Sequence, residues 1–121
     1  MTTNGIELAS LRGLTKELIA IFGGECNLSQ LLLFLEIALR DGREDITVSD
    51  IVRITQSTQS SASRRLYTLM DAGRGRKRGV EAVEQYTKPY DRKSRFHRLT
   101  RRGREICKEI SEAVSKMVDG R

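Results

Sequence analysis

The segment that decides the fold comprises residues 47–73, TVSDIVRITQSTQSSASRRLYTLMDAG. Its second half predicts a helix that begins after Thr58, because a threonine hydroxyl can accept a hydrogen bond from a free N–H of the first helical turn. Apolar side chains recur there at helical spacing and define a buried face: Ala62, Leu66, Leu69 and Met70. At 100° per residue the opposite side carries hydroxyl groups and one guanidinium: Ser57, Ser60, Arg64 and Thr68, flanked by Ser61, Ser63 and Tyr67. Gly73 is expected to end this helix.

The outer face of this helix consists of short hydroxyl side chains and one arginine, Arg64. Taken alone, the pattern fits a solvated, serine-rich helix start as well as it fits a binding face. Small polar side chains let a helix approach a partner closely, and arginine can bind a guanine edge or a phosphate through two hydrogen bonds. The segment before this helix decides between the two interpretations.

A shorter helix is predicted immediately upstream. Residues 49–54, SDIVRI, are amphipathic and are expected to be capped by Ser49, and residues 55–57 predict a tight corner. Two helices joined in this way, the second polar and basic on its outside, form the helix-turn-helix arrangement. The segment therefore favours a helix that contacts nucleic acid.

Positive charge is concentrated in the second half of the chain. The formal net charge is +6, but residues 1–60 contain 5 Lys or Arg against 8 Asp or Glu, whereas residues 61–121 contain 17 against 8. Residues 64–104 alone contain 14 basic and 4 acidic side chains. A basic region beside an acidic one is typical of proteins that bind polyanions. No membrane partner is expected, because no basic segment has a wide apolar face for insertion.

A glycine-interrupted basic run, RGRKRG, occupies residues 74–79. It has no side chains with which to build a core and is interpreted as a mobile loop. A solvated linker is one alternative, but four cations in six residues favour contacts with a phosphate backbone. The candidate contacts in this loop are Arg76, Lys77 and Arg78.

Two further helices are predicted before the helix-turn-helix segment. Residues 6–22 are amphipathic, and residues 28–39 are apolar on nearly every side, so the second helix is expected to be the central buried element. Asn27 with Gln30 resembles a capping box for that helix. Residues 46–48 are expected to add a short strand.

A basic β-hairpin is predicted after the loop. Residues 82–87 favour a strand, residues 88–93 a turn with proline at its bend, and residues 94–99 an alternating strand. His97, the single histidine of the chain, is interpreted as an ordinary strand residue rather than a catalytic base, because no nucleophile accompanies it.

The last helix is expected to be capped by Thr100. Its apolar stripe has helical spacing and consists of Ile106, Ile110, Ala113, Val114 and Met117. Such a stripe usually faces a core. Because little of the chain is left for this helix to cover, we interpret the stripe, together with the first helix, as a seam against a second copy.

The two cysteines, Cys26 and Cys107, lie far apart and in no metal-ligand spacing. Two free thiols and the absence of a recognisable signal peptide favour a cytoplasmic protein. A redox role for Cys26 is one alternative, since a helix start favours a thiolate, but a small buried hydrophobe is the favoured interpretation. No nucleophile–base set or phosphate-binding glycine loop is recognisable, so neither an enzyme nor a cofactor is expected.

A family resemblance is carried by KPYDRK at residues 88–93 and LTRRG at residues 99–103. These resemble the wing and exit of the MarR family of winged-helix regulators, whose pattern is roughly D-P-x-D-R-R, five residues, then L-T-x-x-G. SASR at 61–64 and LMDAG at 69–73 are similar to the family's recognition helix, T-V-T-R…L-x-x-x-G. The resemblance covers about residues 28–110. Residues 74–80 look like an insertion relative to the family.

The resemblance implies a dimeric DNA-binding protein, with the second helix of the segment in the major groove and the hairpin, or wing, over the backbone or minor groove. Carried across, Ser60, Ser63 and Arg64 would face bases and phosphates. Arg92 and Lys93 would occupy the wing tip, with Asp91 orienting it. Lys93 stands where the family usually has arginine, which weakens a fork-like contact in the minor groove.

The sequence therefore predicts a mainly α fold with a small β-hairpin: a winged helix-turn-helix of about five helices plus a two- to three-stranded wing. A single domain, 1–121, is expected, with dimerisation and core helices in 6–40 and 100–118, the helix-turn-helix in 47–73 and the wing in 80–100. The predicted function is a sequence-specific regulator that binds duplex DNA as a homodimer. Its predicted DNA contacts are Thr58, Ser60, Ser61, Ser63, Arg64, Arg76, Lys77, Arg78, Arg92, Lys93 and Arg95.

One alternative function remains: a winged-helix adaptor or inhibitor whose basic face binds an acidic protein surface or RNA. The sequence assigns no cofactor and no small-molecule effector.

Overall fold

Five helices and one antiparallel β-hairpin make up the residues that the structure, a computed structural model, describes: 3–23, 27–70 and 80–119. In chain order they are α1 (Thr3–Ile21), α2 (Leu28–Arg40), α3 (Val48–Thr55), α4 (Gln59–Met70), β1 (Val83–Lys88), β2 (Asp91–Leu99) and α5 (Arg101–Asp119). The predicted fold class, mainly helical with a small hairpin, is confirmed.

The chain divides into two units of dense internal contact. One comprises Met1–Cys26 with Glu105–Arg121, and therefore contains α1 and most of α5. The other, Asn27–Arg104, contains α2, α3, α4, the hairpin and the first turn of α5. The helix-turn-helix and the wing thus belong to one unit. The single domain expected for 1–121 stays a prediction.

Only one side of α2 is buried. Asn27 caps this helix as predicted, since its side chain accepts a hydrogen bond of 2.8 Å from the Gln30 N–H. The buried face carries Gln30, Leu33, Phe34 and Ile37, and it packs against α3, α4 and β2. Leu28 and Leu39, by contrast, are 84% and 68% exposed. This helix was expected to be the central buried element; the structure buries one face of it in the core and leaves these two leucines exposed.

A capping box begins α3, and Thr47 supplies it. The Thr47 hydroxyl accepts from the Asp50 N–H at 3.2 Å, and the Asp50 carboxylate accepts from the Thr47 N–H at 3.0 Å. The predicted cap, Ser49, was wrong: it lies inside the helix, because the reciprocal bonds require the cap to precede its acidic partner by three residues. The strand expected at 46–48 reduces to a single bridge between Ile46 and His97, since Val48 is already helical.

Thr58 begins α4 as predicted, with its hydroxyl accepting a hydrogen bond of 3.1 Å from the Ser61 N–H. Three of the four predicted core positions of α4 are fully buried: Ala62, Leu66 and Leu69. Met70 is half-buried and is the last described residue of the helix. Gly73, the predicted stop, lies outside the described residues.

Ala82 joins α4, the hairpin and α5. Its N–H donates to the Leu69 carbonyl at 2.8 Å, and its carbonyl accepts from the Thr100 N–H at 3.0 Å. Gly103, in the first turn of α5, lies so close that a Cβ atom there would be 2.1 Å from the Ala82 oxygen. The Thr100 hydroxyl caps α5 by accepting from the Gly103 N–H at 2.9 Å, as predicted. The L-T-x-x-G motif therefore makes the junction between wing and last helix.

The hairpin is tighter at its turn than predicted, because only Pro89 and Tyr90 separate the two strands. Between the pairs Tyr86↔Phe96 and Lys88↔Asp91, β1 advances by two residues and β2 by five, so the register shifts there. Such irregularities re-aim the side chains of the longer strand. In β2 the irregular segment is 92–95.

Candidate nucleic-acid interface

The outer face of α4 is exposed along its length. Thr58, Ser60, Ser63 and Arg64 are exposed and Ser61 is half-buried. The buried positions of this helix lie on the opposite side, so the predicted division into a core face and a polar face is confirmed. Because the serine and threonine side chains of this face are short, a partner can come close to the backbone of α4 beside them.

Tyr67 and Thr68 extend this face towards the end of α4, and both are exposed. The Thr68 hydroxyl donates to the Arg64 carbonyl at 3.1 Å. This bond uses the backbone of Arg64 and does not involve its guanidinium. The Thr55 and Ser57 hydroxyls lie 2.8 Å apart at the corner before α4. A hydrogen bond between these two hydroxyl groups therefore spans the corner.

The wing carries three of the predicted cations, Arg92, Lys93 and Arg95, and all three are exposed. They lie in the irregular segment of β2, where the backbone of Ser94 donates to the Asp91 carboxylate at 3.1 Å. Hydrogen bonds from the side chain and backbone of Ser94 hold the pKa of Asp91 below its usual range. Asp91 thus stays ionised and fixes the start of this segment.

Four exposed cations of the predicted interface lie among the described residues: Arg64, Arg92, Lys93 and Arg95. Among the described residues, no carboxylate pairs with Arg64, Arg92, Lys93 or Arg95, whereas other cations of the same unit are paired. Arg98 lies 2.7 Å from Glu84, Arg53 lies 3.2 Å from Asp50, and Arg104 lies 3.6 Å from Asp41. The cations predicted to contact DNA are therefore distinct from those engaged in these contacts.

Three predicted contacts, Arg76, Lys77 and Arg78, lie outside the described residues. The structure brings the other eight into one unit, five at α4 and three at β2. The hydrogen bond from the Ala82 N–H to the Leu69 carbonyl joins α4 to the residue before β1, and β1 pairs with β2.

Sequence reasoning missed a cluster that attaches the wing to the body. Asp45, in the loop before α3, accepts hydrogen bonds from the Tyr86 hydroxyl and the Lys88 ammonium group. It also missed Tyr90, which is 81% exposed at the turn of the wing. No local pattern links Asp45 to partners 41 and 43 residues away. A tyrosine in a proline turn does carry a signal, because an exposed aromatic among cations is common in nucleic-acid contacts.

Two kinds of site are not found among the residues that the structure describes, a metal-binding cluster and a membrane-spanning helix. No group of three or more His, Cys, Asp or Glu side chains within 3–23, 27–70 and 80–119 is arranged to hold a metal ion. Among these residues, no helix combines the length and apolarity that crossing a bilayer requires.

Comparison with solved structures decides the fold family. S. aureus MepR in its DNA complex has a TM-score of 0.76 and 15% identity, over 95% of this chain and 83% of that one. A mutant MarR from E. coli complexed with operator DNA has a TM-score of 0.64 and 18% identity, over 94% and 71%. The MarR-family transcription regulator SP03579 has a TM-score of 0.60 and 21% identity, over 96% and 66%. The chain has the MarR-type winged-helix fold.

The MarR-type fold is found here without a matching sequence family. No protein-family model matches the chain, and no curated protein does. The predicted resemblance is thus confirmed as a likeness of fold. Within the MarR-type fold, α3 and α4 form the helix-turn-helix and β1 and β2 form the wing.

Proposed function

We propose that this protein is a transcription regulator that binds duplex DNA sequence-specifically as a homodimer. In this proposal α4 enters the major groove and the wing lies over the backbone or minor groove. The observation that carries the proposal is the exposed face of α4, where Ser60, Ser63 and Arg64 project opposite a buried apolar face. The MepR and MarR structures similar to this chain were obtained with DNA, which supports the same partner here.

The dimensions of α4 suit the major groove. Twelve residues span about 18 Å at 1.5 Å per residue. The groove, about 12 Å wide, admits one helix when the side chains facing it are small. Serine hydroxyls can donate to or accept from base edges, and Arg64 can bind guanine through two hydrogen bonds. Arg64 is therefore the residue proposed to read sequence.

The wing contributes positive charge to DNA binding rather than discrimination between sequences. Arg92, Lys93 and Arg95 are exposed and have no carboxylate partner among the described residues, so they can pair with phosphates without first breaking an ion pair. Each phosphate that they neutralise releases condensed counterions, which favours binding at low salt.

A second copy of the chain is proposed to cover the terminal helices. In their unit Phe22, Ile106 and Ala113 are buried, but other apolar side chains remain exposed: Leu8, Leu11 and Ile19 on α1, and Val114 and Val118 on α5. Because contiguous exposed apolar patches mark interaction surfaces, we propose that these side chains together form such a surface. A symmetric dimer would place its two α4 helices about 34 Å apart, one turn of duplex DNA.

Duplex selection with a salt titration tests the proposal. A pool of random duplexes is enriched on the protein, and the affinity for the enriched sequence is then measured against salt concentration. We expect an enriched pseudo-palindromic sequence and a log–log slope of about −0.9 per phosphate neutralised. The absence of duplex affinity at low salt would contradict the proposal. Binding to RNA or to an acidic protein under the same conditions would favour the alternative function, a winged-helix adaptor or inhibitor.

A further inference from the structure

Asp45 connects the wing to the loop between α2 and α3. Its Oδ1 accepts a hydrogen bond from the Tyr86 hydroxyl, and its Oδ2 accepts one from the Lys88 ammonium group. Tyr86 and Lys88 lie two residues apart on β1 and therefore point to the same face of the strand. One carboxylate thus binds two successive side chains on one face of the hairpin.

The contacts of Lys88 continue to the end of the wing. Its Nζ lies 5.1 Å from the centre of the Phe96 ring and 5.6 Å from that of Tyr90, both distances typical of cation–π contacts. The Lys88↔Asp91 pair is the last one before the turn. Asp45 therefore acts on the outer end of the hairpin, next to the segment that carries Arg92 and Lys93.

The base of the wing is attached separately. Ile46, the neighbour of Asp45, forms a bridge with His97 in β2. A two-stranded hairpin is marginally stable alone, so contacts with the body decide its orientation. The bridge at Ile46 and the hydrogen bonds of Ala82 hold the base of the hairpin, whereas the hydrogen bonds of Asp45 hold Tyr86 and Lys88 further along β1 and so restrict movement of its outer end.

The charges of this cluster are matched. The hydrogen bond from Lys88, and then that from Tyr86, lowers the pKa of Asp45. The bond to Asp45 in turn raises the pKa of Lys88. Both groups are partly exposed, and exposed ion pairs contribute little to the free energy of unfolding. The cluster is therefore better suited to setting an orientation than to stabilising the fold.

We propose that Asp45 is a positioning residue that holds the wing in the orientation in which Arg92 and Lys93 reach DNA. The inference rests on the proposed function of α4 and the wing. A wing that is already oriented loses less conformational freedom on binding, so the duplex is bound more tightly.

The test compares two carboxylates that differ in one respect. Asp45→Asn and Glu84→Gln each remove one negative charge and each release one wing cation, Lys88 or Arg98. The Glu84–Arg98 pair lies within the hairpin, however, whereas the Asp45–Lys88 pair joins the hairpin to the body. We expect Glu84→Gln to bind duplex DNA as tightly as the wild type or more tightly. Asp45→Asn is expected to bind about three- to thirtyfold more weakly than Glu84→Gln, which lies within the span measured for coupled residues.

A background with Arg92→Ala and Lys93→Ala combined separates positioning from direct contact. If Asp45 acts through these two cations, Asp45→Asn should change the affinity less than about twofold once both are removed. Amide hydrogen exchange supplies a readout without DNA. Exchange of the β1 and β2 amides should become faster in Asp45→Asn and remain unchanged in Glu84→Gln.

The outcomes distinguish the inference from the proposed function. Equal affinities of Asp45→Asn and Glu84→Gln, or an undiminished effect in the background that lacks both Arg92 and Lys93, would overturn the positioning role while DNA binding by the wild type stands. A wild-type protein that fails to bind any duplex would overturn both. Unchanged exchange in Asp45→Asn would show that the wing keeps its orientation without this contact, and would also overturn the inference.

Discussion

The carbonyl oxygen of Ile46 accepts two hydrogen bonds from His97, one from its backbone N–H at 2.9 Å and one from ring Nδ1 at 3.1 Å. Because a carbonyl can only accept, the proton of the neutral ring resides on Nδ1. Nε2 is then the acceptor, and it lies 3.4 Å from the Gln85 amide nitrogen. The ring is 1% exposed. His97 is thus in the strand predicted for it, but it also joins β2 to the segment before α3.

Acidification should destabilise the protein through His97. Burial lowers the pKa of its ring below the ordinary value of 6.5, while the bond to Ile46 opposes that shift. The unfolded chain therefore takes up a proton at a pH where the folded chain resists it. The contribution of the neutral His97 ring to the free energy of unfolding is complete above about pH 6.5. As the pH falls below that value, the free energy of unfolding decreases by at most about 1.4 kcal/mol per pH unit. Urea unfolding followed by circular dichroism between pH 7.5 and 5.0 measures the slope.

A matched variant isolates the histidine in that experiment. His97 is the only histidine of the chain, so His97→Gln should flatten the dependence of the unfolding free energy on pH in this range, whatever its effect on the absolute value. A slope that survives in His97→Gln would assign the dependence to other groups and contradict the prediction.

Gly103→Ala should destabilise the fold. The added methyl group would meet the Ala82 oxygen at 2.1 Å, and that oxygen already accepts a bond from Thr100, so the backbone has little room to shift. We expect a loss of about 1–3 kcal/mol or more, which exceeds the gain in helix propensity of roughly 1 kcal/mol. Gly13→Ala is the control, because nothing lies within 4 Å of its added methyl group. Gly13→Ala should raise the free energy of unfolding by about 0.5–1 kcal/mol. Equal effects of the two variants would contradict a close contact between Gly103 and Ala82.

Short-range patterns predicted most of the fold, because their causes lie within one or two turns of helix. The Thr58 and Thr100 caps each act three residues ahead in the chain. The spacing of Ala62, Leu66 and Leu69 likewise reports one face of one helix. These features require no knowledge of what lies elsewhere in the chain.

The features that sequence reasoning did not predict depend on contacts between residues that are far apart in the sequence. Leu28 and Leu39 are as apolar as the buried Leu33, so composition cannot tell which side of α2 its neighbours occupy. Asp45 is one of several acidic residues in a polar loop until β1 brings Tyr86 and Lys88 to it. The candidate interface was accessible to sequence reasoning because exposed serines and cations are defined by their own helix and strand. The attachment of the wing through Asp45 was not accessible in this way, because it depends on the tertiary fold.

Arg64 and Lys93 should affect DNA binding in different ways. Arg64→Ala is expected to cost about 1–3 kcal/mol on the preferred sequence and to relax discrimination between bases. Lys93→Ala should weaken all duplexes alike and reduce the salt slope by about one unit per protomer. Titrations of each variant against the preferred and a scrambled duplex, at several salt concentrations, separate the two effects.

Lys108→Ala is the control for charge alone, because this exposed lysine lies on α5, outside the unit that contains α4 and the wing. Its effect should be smaller than that of either variant. If Arg64→Ala lowers the affinity no more than Lys108→Ala, or lowers it equally for both duplexes, α4 does not read sequence through Arg64.

Leu11→Asp should dissociate the proposed homodimer. Leu11 is 54% exposed on α1, and in the proposed seam it would be covered by the second copy. An aspartate there would bury two unpaired carboxylates per dimer, which is strongly unfavourable. Light scattering should give about twice the chain mass of 13.7 kDa for the wild type and the chain mass for Leu11→Asp. Ala9→Asp adds the same charge to an exposed position of α1 about 160° around the helix, so it should leave the dimer intact. A monomeric wild type, or dissociation by both variants alike, would remove the seam from the terminal helices and require another explanation for their exposed apolar side chains.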